Sequence, residues 1–124
     1  MFLALAYTSC DRVCPLTMWM LRKIEEGLGP AARGVEFVIV SRDPEQDTLE
    51  RLRRFRDRYH ATWPNWHFLR GSNRDTERLQ QFLGDRSFRM DDHIIHSFMI
   101  YVLDGEGRIE RLFDSDSKIQ DLIP

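Results

Sequence analysis

The sequence predicts a layered sheet with helices, of the α/β or α+β class. Three observations lead there. Short apolar runs of strand length recur at Phe2–Ala6, Val35–Val40, Trp66–Leu69 and Ser97–Leu103. Between the first four strands lie stretches whose apolar residues repeat at helical spacing. Gly, Pro, Asp and Ser punctuate the joints. The resulting order, β-α-β-α-β-α-β-β-α, is that of strands alternating with helices around one sheet.

Phe2 to Ala6 is uniformly apolar and reads as a buried strand. A central strand at residue 2 predicts a chain that starts inside a domain. Thr8, Ser9 and Asp11 mark a loop, and Pro15 suits the first turn of a helix. Leu16 to Leu28 carries apolar residues at 16, 20, 21, 24 and 28, and Gly27 with Gly29-Pro30 should stop that helix. Val35 to Val40 is rich in β-branched residues. Ser41 to Asp47 is a polar loop, and Thr48 is a candidate N-cap for a helix to about His60. Trp66 to Leu69 is a short aromatic strand closed by Gly71. Asn73 or Asp75 should cap a helix through Leu83, ended by Gly84. Ser97 to Leu103 is the strongest strand signal. Asp104-Gly105-Glu106-Gly107 turns it into a hairpin partner, Arg108 to Phe113. Ser115 or Ser117 should begin a last helix that stops at Pro124.

Composition narrows the class. The 124 residues fit one domain, 1–124, expected to be pared back at both ends. A pI near 6.1 excludes the usual basic nucleic-acid domain. No run of about 18 apolar residues exists in the sequence, and Met1 leads into Phe2 without the flanks of a signal peptide. Two cysteines are too few for a disulfide scaffold. The basic residues are almost all Arg, with Lys only at 23 and 118, a bias that reads as codon composition rather than chemistry.

The chemistry concentrates in Cys10-x-x-x-Cys14-Pro15, between a strand and a helix. A helix N-terminus carries partial positive charge and favours a thiolate. Two thiolates on one loop can bind a soft metal, or form and exchange a disulfide. A cysteine in an apolar strand is usually a small packed hydrophobe; these two stand in a polar loop instead. Of the histidines, His60 ends a basic helix and should be solvated, and His67 should be packed within an aromatic strand. His93 and His96 flank Ile94-Ile95 before the strongest strand. Two thiolates and one imidazole underfill a structural zinc site; Cu(I) suits thiolates completed by an imidazole, and Cu(II) with Cys and His is also conceivable.

The run Tyr7 to Thr17 resembles the CxxxCP signature of the Sco/SenC copper-chaperone family. Three further segments agree in order: Val40 to Thr48 with its VS-DPE-DT stretch, Trp66 to Gly71 with W-x-x-L-x-G, and His96 to Asp104, followed by Gly107, with H-(S/T)-x-x-x-Y-L-(I/V)-D…G. The resemblance spans almost the whole chain. It implies a thioredoxin-like three-layer α/β sandwich with a mixed central sheet, here without the family's N-terminal β-hairpin. It implies copper, as Cu(I), Cu(II) or both, held by Cys10, Cys14 and His96, with His93 outside the ligand set. It further implies delivery to the dinuclear copper site of cytochrome c oxidase subunit II. The place of work would be the periplasmic face of the bacterial inner membrane, with a membrane anchor upstream of this chain. One departure stands beside the histidine: the family's Val-Asp-His reads Ile94-Ile95-His96, a change expected to alter Cu(II) affinity.

Three other readings stay open at this level. Cys10 and Cys14 could cycle as a thiol–disulfide oxidoreductase. A thiol peroxidase of the same fold would want Thr three residues before its Cys-Pro cysteine, where Asp11 stands; an anion there raises a thiol's pKa. A purely structural remnant is the last.

Overall fold

Every residue of β1 (Phe2–Ala6) is buried, as a strand covered on both faces requires. The computed structural model describes residues 1–8, 13–84, 88–90, 93–95 and 99–113, with the side chains of 13, 14, 88–90 and 93–95 outside that description. From β1 the chain runs through α1 (Val13–Leu28), a 3-10 helix (Gly29–Gly34), β2 (Phe37–Ser41), α2 (Leu49–Arg58), β3 (Trp66–Leu69) and α3 (Asn73–Leu83). Then follow β4 (Phe88–Met90), β5 (His93–Ile95), β6 (Ile100–Leu103) and β7 (Ile109–Phe113). The main sheet has the order β3-β2-β1-β6-β7. β1, β2 and β3 are parallel, while β6 and β7 are antiparallel to their neighbours. β4 and β5 form a separate antiparallel pair.

Successive strand residues point to opposite faces, and the core divides accordingly. Phe2, Ala4, Ala6, Phe37, Ile39 and Ile100 pack with Met18, Leu21 and Ile24 of α1 and Phe55 of α2. Leu3, Leu5, Val38, Tyr101 and Leu103 pack with Leu83 and Leu79 of α3 on the other side. Two helices cover one face and one covers the other, which is the three-layer sandwich with a mixed sheet that the resemblance implies. Across the start of the parallel strands, Phe37 stacks between Phe2 at 5.5 Å and Trp66 at 4.5 Å. These three are register partners, and each aromatic pair adds about 0.5–1.5 kcal/mol beyond its buried area. The Trp66 indole donates to Glu25 of α1 at 2.6 Å, tying that helix to the sheet.

Several elements differ from the sequence reading for local reasons. α1 begins at Val13, three residues before Leu16. Pro15 is tolerated because the first N–H groups of a helix have no partner within it. Gly27 does not stop α1, since burial of Ile24 and packing of Leu28 against the core outweigh a glycine cost of about 1 kcal/mol. The helix gives way instead to the 3-10 turn through Gly29, at φ 60°. β2 starts at Phe37, because Val35 closes the 3-10 turn through its N–H to the Ala32 carbonyl at 3.1 Å. The Asn65 amide then holds both the Ala32 and Val35 carbonyls at 2.8 Å.

Thr48 does cap α2, its hydroxyl accepting from the Arg51 N–H at 3.2 Å. The cap of α3 is Ser72, not Asn73 or Asp75: its Oγ accepts from the Asp75 N–H at 3.0 Å, which leaves Asp75 in the first turn where a carboxylate suits the helix dipole. Gly84 ends α3 in the left-handed conformation, φ 72°. A Cβ there would meet no atom within 4 Å, so Gly84→Ala is expected to cost only its backbone strain, about 1 kcal/mol. Ser72→Ala should cost about the same through the lost cap. Thermal denaturation of the two variants checks both, and an unchanged midpoint in either refutes that assignment.

The β4–β5 pair was not foreseen, because three-residue strands fall below the length at which alternation is legible. Of the strand read at Ser97–Leu103, β6 occupies Ile100–Leu103, Met99 precedes it, and 97 and 98 lie outside the described residues. The helix read after Ser115 or Ser117 also lies outside them.

Candidate metal centre

Parallel β1 and β2 end together, with Ala6 opposite Ser41. β3 ends beside them, with Leu69 opposite Val40. β6 runs the other way, its Tyr101 opposite Leu3. The chain therefore enters β6 at the sheet end where it leaves β1. In open α/β sheets this carboxyl end of the strands is where ligand sites are built.

In sequence, Cys10 and Cys14 follow β1, and His96 precedes β6. Cys14 is the second residue of α1, and its side chain is outside the description. Cys10 and His96 lie outside the described residues. Cys10 is four residues past Ala6 and three before Val13, and His96 is four before Ile100. His93 opens β5, its side chain also outside the description.

At the ends of β1 and β2 sits a buried polar cluster centred on Asp47, only 1% exposed. Its Oδ1 accepts from the Thr8 N–H at 3.1 Å and the Thr8 hydroxyl at 2.6 Å. Its Oδ2 accepts from the Ser41 hydroxyl at 2.6 Å. Ser41 Oγ in turn accepts from the Asp43 N–H at 3.1 Å, and the Arg42 N–H donates to the Ala6 carbonyl at 2.8 Å. One carboxylate thus fastens the residue two before Cys10 to the end of β2. Charge-assisted hydrogen bonds of this kind are roughly twice as strong as neutral ones. The sequence reading placed Asp47 in a polar loop and gave it no role. The signal that could have found it was its place in the VS-DPE-DT stretch, close behind an apolar strand.

The remaining histidines stand apart from this end. His60 is exposed, as expected, at φ 55°. His67 differs from expectation: its ring is 42% exposed and meets the Glu36 carboxylate at 2.5 Å, because the residue faces outward near the edge of β3. Among the described residues, no three His, Cys, Asp or Glu side chains converge closely enough to hold a metal ion. A cleft of about 580 Å³ lined by Arg22, Glu25, Arg33 and Trp63 lies at the opposite end of α1, away from the cysteines. No helix among the described residues is long and apolar enough to cross a membrane.

Known proteins share this fold. The chain is 24% identical to the SCO1 protein homolog of Bacillus subtilis over 110 residues, covering 83% of this chain and 55% of that protein. It spans 55% and 59% of the lengths of the two curated relatives it matches. Apo Sco1 from Thermus thermophilus superposes with a TM-score of 0.74 at 29% identity, over 98% of this chain and 72% of that one. ScoI of Arabidopsis thaliana, solved with copper bound, superposes with a TM-score of 0.83 at 21% identity, over 98% of this chain and 76% of that one. The SCO1/SenC family model matches residues 1–124. From the central strand through the cysteine loop to the β6–β7 hairpin, the chain belongs to the SCO1/SenC family.

Proposed function

We propose that this chain is a copper chaperone of cytochrome c oxidase assembly, which takes up one copper ion on Cys10, Cys14 and His96 and releases it to the dinuclear copper site of subunit II. The observation that supports the reading is the antiparallel register of β1 and β6: the strand that precedes the two cysteines in sequence ends where the strand that follows His96 begins. The donor set suits the cargo: thiolates favour Cu(I), and an imidazole completes the site for either oxidation state. Cys14 belongs to the first turn of α1, the end of a helix that favours a thiolate. Three ligands leave a position open, so thiolates of a recipient can replace them one at a time. The Arabidopsis relative with copper bound supports the same reading. The family's place of work is outside the cytoplasm, and we assign this chain to the periplasmic face of the inner membrane.

Delivery is tested directly by mixing the copper-loaded chain with the apo form of the soluble copper domain of subunit II. The chain is expected to lose copper to the recipient, and the visible bands of the dinuclear centre to develop once ferricyanide takes one electron from the loaded recipient. Copper that stays on the chain, with the recipient reduced and competent, overturns the assignment. A second reading, thiol–disulfide exchange through Cys10 and Cys14, rests on the same helix terminus. Titration across glutathione buffers separates the two: a reversible disulfide supports exchange, and its absence removes it.

A further inference from the structure

α2 carries a charge surplus out of keeping with the chain. It holds Arg51, Arg53, Arg54, Arg56 and Arg58 against Glu50 and Asp57, in a protein of net charge −2. Leu52 and Phe55 bury one side of the helix, and the helical repeat then sets Arg51, Arg54 and Arg58 along one flank. That flank lines a cleft of about 240 Å³ together with Phe55 and Thr8. Thr8 is two residues before Cys10. The three arginines are exposed. Arg51 donates to the Gln46 carbonyl at 3.1 Å, which steadies its side chain, and among the described residues no carboxylate pairs with it. Arg54 pairs with Glu50 at 2.6 Å, both side chains more than 70% exposed, and such a surface pair exchanges readily for another.

We propose that this flank of α2 is the docking surface for an acidic protein partner of the cysteine loop. The positive stripe extends about 10 Å along the helix, a length that matches several carboxylates on a protein surface rather than one small anion. A partner bound there meets Thr8, two residues before Cys10 in the chain. Charge of one sign at the rim of a site steers approach and sets orientation more than it adds affinity. The inference rests on the copper-transfer reading for what the partner does, but the binding itself is read without copper.

The probe is a fluorophore-labelled hexaglutamate peptide, with hexaglutamine as its neutral counterpart, titrated into the whole chain by anisotropy. Binding of hexaglutamate alone is expected at about 10 mM salt, where the Debye length is roughly 30 Å, and should fade at about 150 mM, where it is roughly 8 Å. Arg54→Gln with Arg58→Gln should weaken that binding at least about fivefold, with copper affinity and the thermal midpoint unchanged. Arg33→Gln, at the far end of α1 where the guanidinium stacks on Trp63 at 5.0 Å, should leave it intact. Cys14→Ser should lose copper and keep peptide binding, so failure of the docking surface and failure of the metal site are distinguishable. Equal binding of the two peptides, or an equal loss from Arg33→Gln, overturns the proposal.

Discussion

Cys10→Ser and Cys14→Ser are each expected to lower the Cu(I) affinity of this chain by more than about a hundredfold, beyond the roughly 10–100-fold cost of disturbing a ligand's surroundings. Serine keeps the shape of cysteine but offers no thiolate, and Cu(I) is a soft ion that selects thiolate over hydroxyl. His96→Ala should act differently. Two thiolates can still hold Cu(I), so the loss should be smaller there and larger for Cu(II), which favours the imidazole. His93→Ala should change neither. Competitive titration with chelators of known affinity reads all four variants. If His96→Ala binds both ions as the parent does, His96 is not a ligand; if His93→Ala takes the large loss, the role belongs to His93. Because Ile94-Ile95 stands where the family carries Val-Asp, the Cu(II) affinity of the parent is expected to differ from that of relatives with the acidic neighbour.

Asp47→Ala is expected to destabilise the fold by about 3 kcal/mol. It strands the Thr8 N–H, the Thr8 hydroxyl and the Ser41 hydroxyl in a buried place, at about 1–3 kcal/mol for each group left without a partner and with some relief by rearrangement. The thermal midpoint should fall by roughly 10 °C for a domain of this size. Asp47→Asn should be far milder. Its carbonyl can still accept both Thr8 donors at Oδ1, and its amide can donate to Ser41 Oγ where Oδ2 now accepts. About 1 kcal/mol is then lost, chiefly the charge-assisted part. Asp47→Ala should also weaken copper binding by roughly 10–100-fold, because Thr8 leads into the loop of Cys10. A midpoint within about 1 °C of the parent in Asp47→Ala would show that the cluster holds nothing in place.

The pair of predictions shows what each level of description supplies. The proposed ligands are sequence objects: Cys10, Cys14 and His96 stand out by residue type, by the Pro15 that follows the second cysteine, and by the segments around them. Asp47 is not. An aspartate in Ser41–Asp47 reads as solvated, because burial is a property of the chain passages that meet and not of the loop itself. β1, α2, β3 and β7 were legible because each pattern is long enough for its period to show or has a plain turn signal beside it. β4 and β5 were not, at three residues each. The cap of α3 is one residue before Asn73 and three before Asp75, the two expected, since Ser72, Asn73 and Asp75 can all cap and only the backbone angle at Ser72 chooses among them.

By itself, then, the sequence determined the order of the main-sheet strands and of the helices between them, the apolar runs that supply the core, the identity of the cysteine loop and the family pattern. Those follow from local chemistry: side-chain shape, periodicity and spacing along one chain. Tertiary structure alone decided that β1 is central, with β2 parallel on one side and β6 antiparallel on the other. It also decided that Asp47 holds Thr8, and that the arginines of α2 flank Thr8. Pairing partners and burial depend on contacts between residues far apart in the chain, such as Thr8 with Asp47 and Leu3 with Tyr101. No local propensity encodes such contacts, and they are selected only when the whole core closes.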